Sequence, residues 1–207
     1  EKKKIKSLSE KEHILLKKSL ELLNKGQELK NLDSSDQKFL NAIGLLSIKP
    51  KIIVCNVDET SVSSGNKYSN EVKSKYPNEK VIIICADIED QIMSLRAEER
   101  EIFMKDVGLK KTGLKNLIKE GYDLLNLETF FTSGPEESRA WTIEKNTPAP
   151  KAAAVIHTDF EKKFIRAEAV TCEDFIKLGS SEKCKEKGRL RIEGKDYIVK
   201  DGDVLFF

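Results

Sequence analysis

Asn56 and Glu59 stand three residues apart at the end of the apolar run Ile52-Ile53-Val54-Cys55, a spacing that delivers a carboxamide and a carboxylate into one loop. A carboxylate so placed can accept two hydrogen bonds from the edge of a nucleobase, and the carboxamide beside it can both donate and accept. About thirty residues on, Val81-Ile82-Ile83-Ile84 delivers Cys85, Ala86 and Asp87, whose backbone groups could close the other side of a base. Val57 stands where a lysine stem would cover a guanine, and Glu59 is longer than the aspartate that guanine sites use. Both features weaken the fit to guanine and make adenine, or a relaxed base choice, plausible. Alone, Asn-x-x-Glu after an apolar run is a weak signal, and an ordinary strand-end loop carries it too.

Two strands of parallel type ending in such loops are how a P-loop G domain reads its base. The phosphate-binding half of that machinery has no counterpart in these residues. No Gly-x-x-x-x-Gly-Lys-Ser/Thr occurs, and none of the eleven glycines has an Asp three residues before it. The phosphate cradle and the metal-associated Asp-x-x-Gly loop are therefore both missing from this segment. These 207 residues alone are expected not to hydrolyse a nucleotide.

A second polar cluster runs from His157 to Arg166. It offers a histidine and two acids but no nucleophile with a base and an orienting partner, so it does not read as a catalytic centre. His157, Lys162, Lys163 and Arg166, with Phe160 and Phe164, suit RNA backbone contact and base stacking; a turn-stabilising structural role fits the same residues. Cys55, Cys85, Cys172 and Cys184 form no Cys-x-x-Cys pair and have no histidine at ligand spacing. Reduced thiols are expected, with no metal site.

The elements that must position these residues follow from periodicity. Residues 9 to 30 read as a helix: Ser9-x-x-Glu12 is a capping-box pattern, and Leu15, Leu16, Leu20, Leu22 and Leu23 make an apolar stripe before Gly26. A second helix is expected to start near Ser34 and to carry Phe39, Leu40, Ile43 and Leu46 on one face. The pair reads as an antiparallel hairpin or part of a coiled coil, or as ordinary packing helices. From Pro50 onward, strands alternate with helices, and the Ile/Val runs suit strands buried on both faces of a parallel sheet. Helices are expected near 71 to 75, 94 to 105 and 114 to 125, the last with Leu114, Leu117, Ile118 and Leu125 inward. Beyond residue 127 the pattern is mostly β: 139 to 143, 164 to 170, 190 to 192, 197 to 199 and 204 to 207 are strand-like, and Thr171-x-x-Asp174 opens a helix. A small mixed sheet holding one helix is the economical model, a β-grasp or ubiquitin-like module.

Composition agrees with a charge-rich globular protein: 39% of residues are apolar and 35% charged, with a net charge of +2. No run approaches the ~18 apolar residues of a membrane span, and the basic start at 1 to 6 lacks the apolar core of a signal peptide. A cytoplasmic protein is expected. Residues 1 to 30 carry nine lysines against five acids. Such an excess favours RNA or ribosome contact, and it equally describes a solvated helix face.

Asn56-Val-Asp-Glu59, Gly121-Tyr-Asp-Leu-Leu, Phe130-Phe-Thr-Ser-Gly-Pro135, Arg139-Ala-Trp-Thr-Ile143, Ile156-His-Thr-Asp-Phe-Glu161, Phe164-Ile-Arg-Ala-Glu168 and Gly194-Lys-Asp-Tyr-Ile-Val-Lys-Asp-Gly-Asp203 together resemble the C-terminal portion of the YchF family of Obg-like ATPases. The resemblance runs from about Ser9 to the end and is densest over 121 to 207. It implies a partial α/β P-loop G domain with a helical coiled-coil remnant, followed by a C-terminal α+β domain of β-grasp type, the TGS domain. By position, 1–48 would be the helical region, 49–122 the second half of the G domain and 123–207 the TGS domain. Asn56, Val57 and Glu59 would fall on the base-recognition loop, and Cys85, Ala86 and Asp87 on the second base loop. For the complete parent the resemblance implies ATP (or GTP) with Mg2+, ATP preferred, hydrolysis, and association with the ribosome or its RNA. The alternative is a non-catalytic β-grasp module that binds RNA or ribosomes.

Overall fold

The computed structural model describes residues 8–27, 29 and 32–207. The basic segment 1 to 6, and positions 28 and 30 of the first expected helix, lie outside the described residues. The chain divides into two compact units, one extending to Lys51 and one spanning Ile52–Phe207.

The first unit is a helical pair. Helix α1 (Glu10–Asn24) starts with the expected box: the Ser9 hydroxyl accepts from the Glu12 N–H at 3.3 Å, and the Glu12 carboxylate accepts from the Ser9 N–H at 2.6 Å. It ends at Gly26, whose φ of 66° allows the N–H groups of Gly26 and Gln27 to reach back to the carbonyls of Leu23 and Leu22. Helix α2 (Ser34–Ala42) starts at Ser34 as expected and is capped by Asp33, whose carboxylate accepts the Asp36 N–H at 2.8 Å. Lys11 joins the two helices through Asp33 at 3.3 Å and Asp36 at 3.1 Å. Leu20, expected inward, faces out, since the buried position is its neighbour Ser19, about 100° away on the helix.

The second unit begins with β1 (Ile52–Asn56), a 3-10 turn (Glu59–Ser61), α3 (Lys67–Lys75) and β2 (Lys80–Ile84), followed by α4 (Ala86–Ser94), α5 (Ala97–Asp106) and α6 (Gly113–Leu124). Strands β1 and β2 pair in parallel from Ile52↔Lys80 to Asn56↔Ile84, so their C-terminal ends emerge side by side. Val62, Cys85, Ile88 and Ile92 form the buried cluster beneath that end, with Phe103, Met104, Val107 and Leu109 against it. Burial on both faces is only partly realised. Ile82 is buried, but its register partner Val54 is 40% exposed. Leu114 and Ile118 on α6, and Leu125 at its C-cap, face outward, contrary to expectation.

The polypeptide then builds a mixed five-stranded sheet: β3 (Leu127–Ser133), β4 (Ser138–Glu144), α7 (Ala149–Ile156), α8 (Thr158–Lys162), β5 (Ala167–Thr171), α9 (Cys172–Leu178), α10 (Ser181–Glu186), β6 (Arg191–Glu193) and β7 (Asp203–Phe206). The strand order is β4-β3-β7-β5-β6, with β3 and β7 parallel and the other neighbours antiparallel. Its core gathers Phe130, Ile143, Ala152, Ala153, Ala169, Val199 and Leu205. Three expectations need correction. Four helices, not one, accompany the sheet. The strand expected from Phe164 begins only at Ala167, because Phe164 is drawn into the core behind α8. The stretch 197 to 199 is not a strand but makes a single bridge, Pro148↔Ile198. The Thr171 cap is as expected, its hydroxyl accepting the Asp174 N–H at 3.2 Å.

Candidate functional site

The parallel register brings Asn56 and the start of α4 together. The Asn56 Oδ1 accepts the Ala86 backbone N–H at 3.0 Å. Ala86 is the first residue of α4, and Cys85 at the cap position supplies no side-chain hydrogen bond, so Asn56 caps this helix from the neighbouring strand. With Oδ1 committed inward, the Nδ2 amide has no partner among the described residues and is available to a ligand.

The segment expected as a second loop is a strand-to-helix junction. Cys85 is fully buried, so it offers its backbone and not its thiol. Its carbonyl accepts the Glu89 N–H at 3.0 Å, closing the first turn of α4. Asp87 is exposed in that turn, where a negative charge complements the positive end of the helix dipole.

On the β1 side, Val57 is only 8% exposed and its N–H bonds to the Ile84 carbonyl at 2.8 Å. It extends the parallel ladder, and its side chain packs inward where a lysine stem would reach out. Asp58 is occupied locally, accepting from the hydroxyls of Thr60 and Ser61, which hold its carboxyl below the usual carboxylate range. Glu59 is exposed, and its Oε1 accepts from Gln91 Nε2 at 3.1 Å. The carboxylate is thus tethered to α4 through one oxygen. Asn56 Nδ2 and the Glu59 carboxylate form a donor and acceptor pair at one strand end.

Sequence reasoning missed the brace behind this pair. Glu89 accepts both the Gly113 N–H at 2.6 Å and the Leu114 N–H at 3.2 Å, joining α4 to the start of α6. Gly113 lies so close to β2 that a Cβ there would sit 2.6 Å from Ile84 Cγ2. The Thr112-Gly113 pair was the available signal, but its acid partner lies twenty-four residues away. Gln91, the partner of Glu59, carried no signal at all.

The His157 cluster is only partly assembled. His157 caps α8, its Nδ1 accepting the Asp159 N–H at 3.2 Å. Lys163 and Arg166 line one open groove of about 440 Å³ with Phe160, Phe164, Ile165 and Phe207. His157 and Lys162 do not line it. Phe164 is 6% exposed and cannot stack on a base, whereas Ile165 is 83% exposed beside the groove. Among the described residues no group of three or more His, Cys, Asp or Glu could hold a metal ion, and no helix is long and apolar enough to cross a membrane.

The family model YchF-GTPase_C, described as a protein of unknown function (DUF933), matches residues 127–207. The chain is 45% identical over 178 residues to the "Ribosome-binding ATPase YchF" of Haemophilus influenzae, covering 85% of this chain and 49% of that protein. The protein of the same name from Escherichia coli O157:H7 is 43% identical over 197 residues, covering 93% of this chain and 54% of that protein. Among solved structures, the Schizosaccharomyces pombe YchF GTPase aligns with a TM-score of 0.77 and 29% identity, over 98% of this chain and 58% of that one. The chain spans about half the length of the curated relatives it matches. It belongs to the YchF family.

Proposed function

We propose that this chain supplies the base-reading face of a YchF-type ATPase that prefers ATP to GTP. The observation that carries the reading is the Asn56–Ala86 hydrogen bond of 3.0 Å, which locks the two strand ends into one surface. Asn56 Nδ2 would donate to a ring nitrogen of adenine, the Glu59 carboxylate would accept from its amino group, and the backbone of Cys85, Ala86 and Asp87 would close the opposite side. Inward packing of Val57 removes the lysine stem on which guanine sites rely. The described residues fit a base. They do not offer a phosphate cradle or Mg2+ ligands, which this reading assigns to the parts of the relatives that this chain does not span. This segment alone is then inactive in hydrolysis, and the parent works in the cytoplasm.

Residues 49–122 would form the second half of the G domain and 123–207 a TGS domain of β-grasp type. The order β4-β3-β7-β5-β6, with a parallel central pair flanked by antiparallel neighbours, supports the latter. The first unit would be a remnant of a coiled-coil insertion. The test is nucleotide competition on the complete protein. ATP should bind more tightly than GTP, and Glu59→Ala should erode that preference; a GTP preference that Glu59→Ala leaves unchanged would show the assignment wrong.

A second reading, a non-catalytic module that binds ribosomal RNA, is favoured by one observation: Lys163 and Arg166 flank the groove beside exposed Phe160. Charge reversal at both should weaken ribosome co-sedimentation more than reversal at Lys162. Equal effects would remove the groove from consideration.

A further inference from the structure

We propose that the outer edge of β2 is a docking site for an acidic, extended segment of a partner protein, which adds as a strand beside Val81 and Ile83. The hydrogen-bond alternation of a parallel pair fixes which groups are free. Because the Ile84 carbonyl accepts from Val57, residues 80, 82 and 84 direct their backbone groups at β1, and Val81 and Ile83 direct theirs away. Strand β2 pairs with β1 alone, and the backbone groups of Val81 and Ile83 have no partner among the described residues.

A groove of about 380 Å³ runs along this edge. Val81, Ile83 and Leu109 give it an apolar lining, Lys73, Lys110 and Lys111 flank it, and no carboxylate lines it. None of the three lysines makes an ion pair among the described residues. The wall opposite the strand is built in advance: Leu109 N–H bonds to the Met104 carbonyl at 2.7 Å, and Gly113 N–H to Glu89 at 2.6 Å. A groove held open in this way does not have to be ordered on binding.

The open backbone edge selects the class of partner. Alternating N–H and C=O groups along a strand match those of an extended peptide lying about 4.8 Å away. A nucleic-acid backbone can satisfy the lysines but has few donors for the strand carbonyls. Lysines commonly guard an open edge against pairing with further strands. Here the same charges would admit only a segment that carries the opposite sign at its flanks.

The test uses a fluorescein-labelled, alternating Glu-Val peptide titrated against the protein, with hydrogen exchange read at individual amides. Saturable binding is expected, with slowed exchange at Val81 and Ile83. Lys110→Glu with Lys111→Glu should weaken it about tenfold, and N-methylation of alternate peptide amides should abolish it. The neutral pair Lys110→Gln and Lys111→Gln, expected to weaken binding less, keeps the result independent of a folding defect. Equal binding of the N-methylated peptide would reduce the effect to charge alone and overturn strand addition. Unchanged exchange at Val81 and Ile83, oligouridylate binding in place of the peptide, or no saturable binding would each overturn the proposal, the last leaving the lysines as guards of the edge.

Discussion

The carboxamide of Asn56 caps α4 across the sheet, its Oδ1 accepting the Ala86 N–H at 3.0 Å from thirty residues away. Its oxygen fixes the second strand end, and its nitrogen has no partner among the described residues. On the proposed reading this division separates a structural role from a recognition role within a single residue, and substitutions can address each in turn.

The junction behind this cap tolerates no added volume. A Cβ at Gly113 would lie 2.6 Å from Ile84 Cγ2 and 3.0 Å from Glu89 Oε1. Gly113→Ala should therefore destabilise the protein by about 1–3 kcal/mol, the usual range for overpacking. Urea unfolding would measure it, and Ile84→Ala in the same background should recover part of the loss. Additive effects of the two substitutions would show that the contact is not shared.

Tyr197 belongs to a buried polar network at the end of the second sheet. Its hydroxyl donates to Asp203 Oδ2 at 2.6 Å, Arg191 Nη2 donates to Asp203 Oδ1 at 3.2 Å, and Asp203 is almost fully buried. Burial, with the Asp203 hydrogen bond and charge adding to it, pushes the Tyr197 hydroxyl up to about 12. A group whose folded pKa is raised contributes stability that is complete below its unfolded pKa, ~10 for tyrosine, and lost as pH rises through the folded one. The ionisation of Tyr197 should be displaced to high pH in a spectrophotometric titration, and stability should fall between about pH 10 and 12. Tyr197→Phe should remove that alkaline step and cost about 1–3 kcal/mol at neutral pH by depriving a buried carboxylate of a donor.

Glu128 presents the opposite case, a buried carboxyl with Oε1 unpartnered. Burial, then the charge of Asp201, pushes its pKa up. The stability it contributes is present below its unfolded pKa and is lost as pH rises through the folded one. Glu128→Gln should raise the unfolding midpoint at pH 7 and lose that advantage as the pH is lowered into the carboxylate range. A midpoint lowered at pH 7 would mean that the charged form is satisfied in the native state.

Much of this architecture is legible in the sequence where one residue type dominates locally. The Ile/Val runs of β1 and β2, the Ser9–Glu12 box and the Thr171 cap depend on neighbours within a few positions, and each stands where expected. What escaped depends on distance. The Glu89–Gly113 brace, the Glu59–Gln91 tether and the Asn56 cap each join residues more than twenty positions apart. Helix faces were misjudged because apolar residues at Leu20, Leu114, Ile118 and Leu125 do not by themselves reveal which side of the helix meets a neighbour. Helix α7 is not legible in the sequence, since the residues it buries, Ala149, Ala152 and Ala153, are small and make no strong apolar stripe.

Asn56→Asp in the complete protein tests the central claim most directly. An aspartate keeps the oxygen that caps Ala86 and removes the nitrogen assigned to the base. Measured together, the urea midpoint should stay near wild type while ATP affinity falls about tenfold, as expected for one lost hydrogen bond in a binding site. An unchanged ATP affinity at an unchanged midpoint would contradict the account, leaving Asn56 a structural cap with no part in reading the base.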